Sequence, residues 1–249
     1  MKNMMRYVAA LSSFIAVLMV AGCADTTVAG LTPTQTFAKP QTAQLVEAVM
    51  SGDYTEADKL LAQGVDVNAV GAEDLPPLLW VLSASHFDEK KLEYLLKAGA
   101  NPNFQEKKHH ASAMYFAVHN QKPRLLKLLL KHGGNPSLIG WGDGGPDWPL
   151  LFEASLNGDE EIVTILVNAG ADLNWLSKYG RSSANALTIP ARFDLIVYML
   201  NHGLVANLDG LAEECQGRPL QPNSDMQVWK DKVLVMLKER GAKFTLDKK

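Results

Sequence analysis

The sequence predicts an all-α solenoid of about six helix–turn–helix units with projecting hairpin-like loops and divergent capping units. Three observations carry that expectation. Six Leu-rich stretches each run into a single glycine, at Gly64, Gly99, Gly133, Gly170, Gly203 and Gly241, and the intervals are 35, 34, 37, 33 and 38 residues. A fixed period in that range marks one helix-containing unit stacked on copies of itself. Short polar segments then follow the glycines: Val65-Asp66-Val67-Asn68, Ala100-Asn101-Pro102-Asn103, Gly134-Asn135-Pro136-Ser137 and Ala171-Asp172-Leu173-Asn174. Asn and Asp bond their own nearby backbone, and Pro102 and Pro136 deny a return to helix, so each unit should close in a projecting loop.

Taken in order, the chain begins with a segment to be set apart from the fold. Lys2 and Arg6 precede an apolar run from Ala9 to Ala21, which is shorter than the roughly 20 residues of a membrane span and fits a signal-peptide core. Val20-Ala21-Gly22-Cys23 resembles a bacterial lipobox. That resemblance implies a signal peptide over residues 1–22, cleavage before Cys23, and lipidation of its thiol and new amino group. Residue 24 is Ala rather than Asp, which in such lipoproteins implies delivery to the outer membrane, so the expected location is its periplasmic face. More than one acyl chain is what makes anchoring of this kind stable. Residues 23–40 read as the lipidated cysteine and a flexible Thr-rich tether, and residues 41–249 as the repeat domain.

The unit is clearest around Gly158. Leu150 to Leu156 forms a short apolar helix, Asn157-Gly158 a turn, and Asp159 an N-cap. Ile162, Val163, Leu166 and Val167 then build one apolar stripe, which Gly170 ends by taking the left-handed conformation. These units resemble ankyrin repeats, whose usual ending is a paired Leu, two variable residues and Gly-Ala-Asp-Val-Asn. Gly64 to Asn68 and Gly170 to Asn174 come close to it, and the likeness runs from residue 43 to about 245. The family's Thr-Pro-Leu-His opening is missing, so neighbouring units are expected to lean on apolar packing. The last unit diverges most: Gly210 to Cys215 reads as helix, and Ser224 to Gln227 resembles a capping box before a helix. That helix should bury Trp229, Val233, Met236 and Leu237 and turn Lys230, Lys232 and Lys238 to water.

Composition narrows the function. The formal net charge is -3, and removing Lys2 and Arg6 leaves 22 - 27 = -5. Without a basic stripe of interleaved aromatics, nucleic acid is not an expected partner. Gly140-Trp141-Gly142-Asp143-Gly144-Gly145 matches a dinucleotide pattern, yet Pro146 to Pro149 intervene before the next helix, so an enlarged loop is the better reading. His109 and His110 are adjacent and cannot share one face, which argues against a metal pair. Glu153 is the lone acid in an apolar helix, expected to face solvent or bond locally, and Cys215 reads as a buried thiol. No hydrolase, zinc-protease or phosphate-loop signature occurs, so neither enzyme activity nor a cofactor is expected.

What remains is a binding surface. In ankyrin proteins partners meet the loop tips and the inner face of the first helices. Carried onto this chain, the candidates are Lys107, His109, His119, Asn120, Trp141, Asp143, Trp148, Trp175, Tyr179 and Arg181, with aromatic and Arg residues favoured as hot spots. For Trp148 and Trp175 the plainer alternative is packing of loop on helix. The expected function is a membrane-anchored periplasmic module that binds a protein. One role is an immunity protein that blocks a toxic effector such as a phospholipase; the alternative is an envelope scaffold for housekeeping partners.

Overall fold

The periodic glycines behave as their spacing requires. In a computed structural model, which describes residues 27–84, 89–107, 110–140 and 148–244, all six have φ between 82° and 105°. That is the left-handed region in which a side chain costs energy. The described residues divide into two compact units, one within 27–113 and 131–134, the other within 114–130, 135–140 and 148–244. The signal peptide of residues 1–22 and Cys23 lie outside the described residues.

The first unit holds α1 (Pro33–Thr36), α2 (Pro40–Ser51), α3 (Tyr54–Ala62), α4 (Pro77–Ser83) and α5 (Glu89–Lys97). Gly52 ends α2, and the Asp53 carboxylate accepts the Glu56 N–H at 3.0 Å to start α3. Leu45, Val46, Val49, Trp80, Val81, Leu92 and Leu95 form its core. The stretch read as a tether is ordered from residue 27 onward, which corrects that expectation. Thr32 and Gln35 make a reciprocal capping box for α1, and Val28, Thr36 and Phe37 are buried. The indole Nε1 of Trp80 donates to Thr36 Oγ1 at 3.2 Å. This strap packs where the next loop has a glycine: a Cβ on Gly71 would lie 2.6 Å from the Thr36 carbonyl oxygen and 2.9 Å from the Phe37 ring.

The second unit holds α6 (Ala113–His119), which begins one residue before it, α7 (Pro123–Lys131), α8 (Leu150–Asn157), α9 (Glu160–Asn168), α10 (Ser183–Leu187), α11 (Phe193–Asn201), α12 (Leu208–Gly217) and α13 (Asp225–Glu239). Asp159 caps α9 by accepting the Ile162 N–H at 3.0 Å, as its position predicts. The pair β1 (Ile139–Gly140) and β2 (Trp148–Pro149) is antiparallel, with Gly140 opposite Trp148. α12 starts earlier than its apolar pattern indicates, with Asn207 as its cap.

The terminal helix corrects the expected buried face. Val233 and Leu237 are buried, but Lys230 is buried beside them and Trp229 is 39% exposed. Lys230 Nζ donates to the Gln216 and Arg218 carbonyls, so its ammonium completes the end of α12 while its aliphatic stem fills the core. Ser224 caps α13 through the Gln227 N–H. The Gln227 side chain turns forward to Asp231 instead of back to the cap.

Polar ties between successive repeats within each compact unit are also present, contrary to the expectation of mainly apolar stacking. The side chain four residues after a periodic glycine reaches the next repeat's loop. Asn68 donates to the Gly99 carbonyl at 3.0 Å and accepts the Asn101 N–H at 2.8 Å. Asn103 donates to the Gly133 carbonyl at 2.8 Å. Asn174 donates to the Gly203 carbonyl at 3.2 Å and accepts from Val205 and Ala206 at 2.8 and 3.0 Å. Ser137 holds the equivalent place and accepts the Asp172 N–H at 2.8 Å, but its one short hydroxyl lacks the longer reach and separate donor and acceptor ends of an Asn amide. Ser137→Asn should therefore add one rung and stabilise the second unit by about 0.5–1 kcal/mol, measured as a shift in urea midpoint at unchanged slope.

Arg192 supplies a further tie. Its guanidinium donates to the Gly158 carbonyl at 2.6 Å and pairs with Glu160 and Asp194 at 2.8 and 2.6 Å. Burial pushes the Asp194 carboxyl up, but the Arg192 hydrogen bond and charge, with the Leu195 N–H, outweigh it and hold the group below its ordinary range. A lowered folded value stabilises above the unfolded range near pH 4, and the gain is lost as pH falls through it. Asp194→Asn should flatten that acid-side loss, which unfolding free energies at pH 7 and pH 3 would show.

Candidate functional site: the loop surface of the second unit

Two loops of the second unit are stitched into one surface. Asn174 accepts from Val205 and Ala206 as described, and Asn207 Nδ2 donates back to the Gly180 carbonyl at 2.6 Å. The Ser177 hydroxyl and carbonyl hold the turn through Arg181, Tyr179 and Gly180. On this frame Leu176, Tyr179 and Val205 are 41%, 79% and 65% exposed. Lys178 Nζ lies 5.2 Å from the Tyr179 ring centre. An apolar group, an aromatic ring and a cation on ordered backbone can desolvate against a protein partner with little loss of backbone entropy.

Val205 breaks a local rule. Two residues after the earlier periodic glycines stand Asp66, Asn101, Asn135 and Asp172, and each side chain accepts the N–H two residues further on at 2.8–2.9 Å. These are the Asx turns that favour such residues. Valine forgoes that bond and exposes a β-branched side chain instead. Sequence reasoning passed over Val205, although an apolar residue in a slot that the four preceding loops fill with Asp or Asn was a readable signal.

The other predicted residues separate by task. Trp148 is half-buried with its ring 4.7 Å from Phe152, and Trp175 meets the same ring edge-on at 5.7 Å. Both therefore pack loop on helix, and Phe152 is 5% exposed beneath them. Arg181 pairs with Glu214 at 3.2 Å. His119 Nδ1 lies 2.9 Å from Glu153 Oε1 and 3.4 Å from the Tyr115 hydroxyl, and its ring stacks on Tyr115. Glu153 thus bonds across to the preceding helix pair, and burial with the nearby Glu153 charge pushes the Tyr115 phenol up. Asn120 donates to the Phe116 carbonyl at 3.0 Å, closing its own helix. Lys107 is at the surface of the first unit, its N–H on Asp74 at 2.8 Å and its ammonium 3.5 Å from the same carboxylate. His109, Trp141 and Asp143 lie outside the described residues.

Cys215 is buried, and burial and Glu214 push its thiol up to about 12, which leaves it an inert core group. Among the described residues no group of His, Cys, Asp and Glu is arranged to hold a metal ion, and no helix is long and apolar enough to cross a membrane.

Stacked helix pairs with ordered loop tips define a protein–protein interaction module of the all-α ankyrin-repeat fold. Residues 45–139 match the family model for ankyrin repeats in three copies. The glycerophosphocholine phosphodiesterase gde1 of Schizosaccharomyces pombe is 33% identical over 53% of this chain and 11% of its own length. The putative ankyrin repeat protein R841 of Acanthamoeba polyphaga mimivirus is 31% identical over 36% of this chain and 16% of its own length. The E3 ubiquitin-protein ligase hecd-1 of Caenorhabditis elegans is 29% identical over 51% of this chain and 5% of its own length. This chain thus spans less than a fifth of each relative, a share that fits repeats held in common. Ankyrin repeats are typically non-enzymatic binding modules.

Proposed function

We propose that this protein is a lipid-anchored module that captures a protein partner on the loop surface formed by Leu176, Tyr179 and Val205. The observation that carries the reading is the exposed Val205 in a slot where the four preceding loops place Asp or Asn. A residue that breaks a local rule without a structural gain marks a place where another demand prevails. Cys23, in its lipobox-like setting, would carry the acyl chains that hold the module on the periplasmic face of the outer membrane.

Within that class the role we favour is immunity, in which the module binds and blocks a toxic effector such as a phospholipase. Anchoring on the leaflet that such an enzyme attacks raises the local concentration of the inhibitor where it is needed. Affinity purification of the full chain from solubilised envelope should recover a protein partner, and recovery of none contradicts capture. A gene for a secreted lipase or another toxin beside this one supports immunity, whereas a cell-envelope operon supports a scaffold. Cys23→Ser should move the chain from the membrane to the soluble fraction; persistence on the membrane contradicts the anchor.

A further inference from the structure

We infer that the strap of residues 27–37 is a clamp that holds the first unit close to the bilayer. The inference rests on the lipid anchor proposed above. It follows from how the strap is held. Val28 and Leu31 close a tight turn through two mutual backbone hydrogen bonds of 3.0 Å. Thr32 and Gln35 cap α1 reciprocally. Val28, Thr36 and Phe37 are 2%, 3% and 4% exposed, and Trp80 donates to Thr36 from a fully buried position. Gly71 leaves the space that the Thr36 carbonyl and Phe37 ring occupy.

Docking changes the length of the leash. Between Cys23 and Pro40 there are 40 - 23 = 17 residue steps, which would reach roughly 60 Å fully extended. With the strap docked, the free length ends at Val28 and spans 28 - 23 = 5 steps, at most about 17 Å. The first unit is then confined to the layer next to the headgroups. A short leash raises the effective concentration for partners within reach and removes those beyond it.

The test uses the full lipidated chain in vesicles of phosphatidylethanolamine and phosphatidylglycerol that carry a headgroup energy acceptor. A donor dye is placed on Glu47→Cys, an exposed site on α2, since Cys215 is buried and its thiol is pushed up to about 12. Energy transfer should be efficient in the otherwise native chain. Inserting about twenty Gly and Ser residues after residue 26 should cut it by roughly half or more, which sets the scale of a long leash. Phe37→Ser, which frees the strap, should cut it as well while circular dichroism stays unchanged.

Unchanged transfer in Phe37→Ser overturns the clamp. Failure of the anchor itself is read separately, as continued membrane association of Cys23→Ser.

Discussion

Trp80→Ala is expected to remove about 3–5 kcal/mol from the first unit, the cost of deleting a fully buried large aromatic side chain. Trp80 lies on α4 and is 0% exposed. Its indole N–H is also the donor to Thr36 Oγ1. The loss therefore acts on packing and on strap docking together. Trp80→Phe keeps most of the ring and should cost about 1–2 kcal/mol, including one net hydrogen bond. Hydrogen exchange resolves the effect where a whole-chain melt averages it, because repeat arrays need not unfold as one. Faster exchange throughout α2 and α4 is the expected result, with the helices of the second unit near their native rates.

Asn174→Ala should cost the second unit about 2–3 kcal/mol. One side chain makes three hydrogen bonds to the next loop, to the Gly203 carbonyl and to the Val205 and Ala206 amides, each worth about 0.5–1.5 kcal/mol net. Much of the released backbone is reached by water, so the cost stays below that of three buried unsatisfied groups. The variant also unlaces the two loops that carry Tyr179 and Val205. A lowered urea midpoint accompanied by accelerated exchange at Val205 and Ala206 is the expected result. An effect of a few tenths of a kcal/mol would mean that the loop is held by other contacts.

The repeating part of the fold was legible because backbone chemistry repeats with it. A glycine that must take positive φ, an Asp that must cap α9 and an Asx turn after each of the first four periodic glycines are local demands, and local demands leave residues at fixed spacing. The strap was missed for the opposite reason. Its large apolar residues, Val28, Leu31 and Phe37, are too sparse for a periodic signal, and its order depends on Trp80 and Gly71 more than thirty residues away. The capping box in Thr32-Pro33-Thr34-Gln35 was the one readable clue. Lys230 illustrates a similar limit: a lysine on a helix reads as solvent-facing until the carbonyls at the end of α12 are known to meet it.

At the candidate site, Tyr179 was legible as part of a loop tip, because turn chemistry locates loops. Assigning Trp148, Trp175 and Arg181 to packing and pairing required Phe152 and Glu214, which no spacing rule brings together. Hot-spot residue types alone do not separate an aromatic side chain that supports a loop from one that the loop presents.

Val205→Asp tests the central claim most directly, because it should move stability and capture in opposite directions. The aspartate restores the turn made by Asp66 and Asp172, stabilising the second unit by about 0.5–1 kcal/mol. It also puts a charge where an apolar contact is needed, which should weaken binding of the partner recovered from the envelope by about tenfold or more. A titration of that partner against the native chain and Val205→Asp, with urea unfolding of both, gives the two readings. Reduced affinity in a chain at least as stable as the native one is the predicted result. Unchanged affinity would contradict this loop surface as the site of capture.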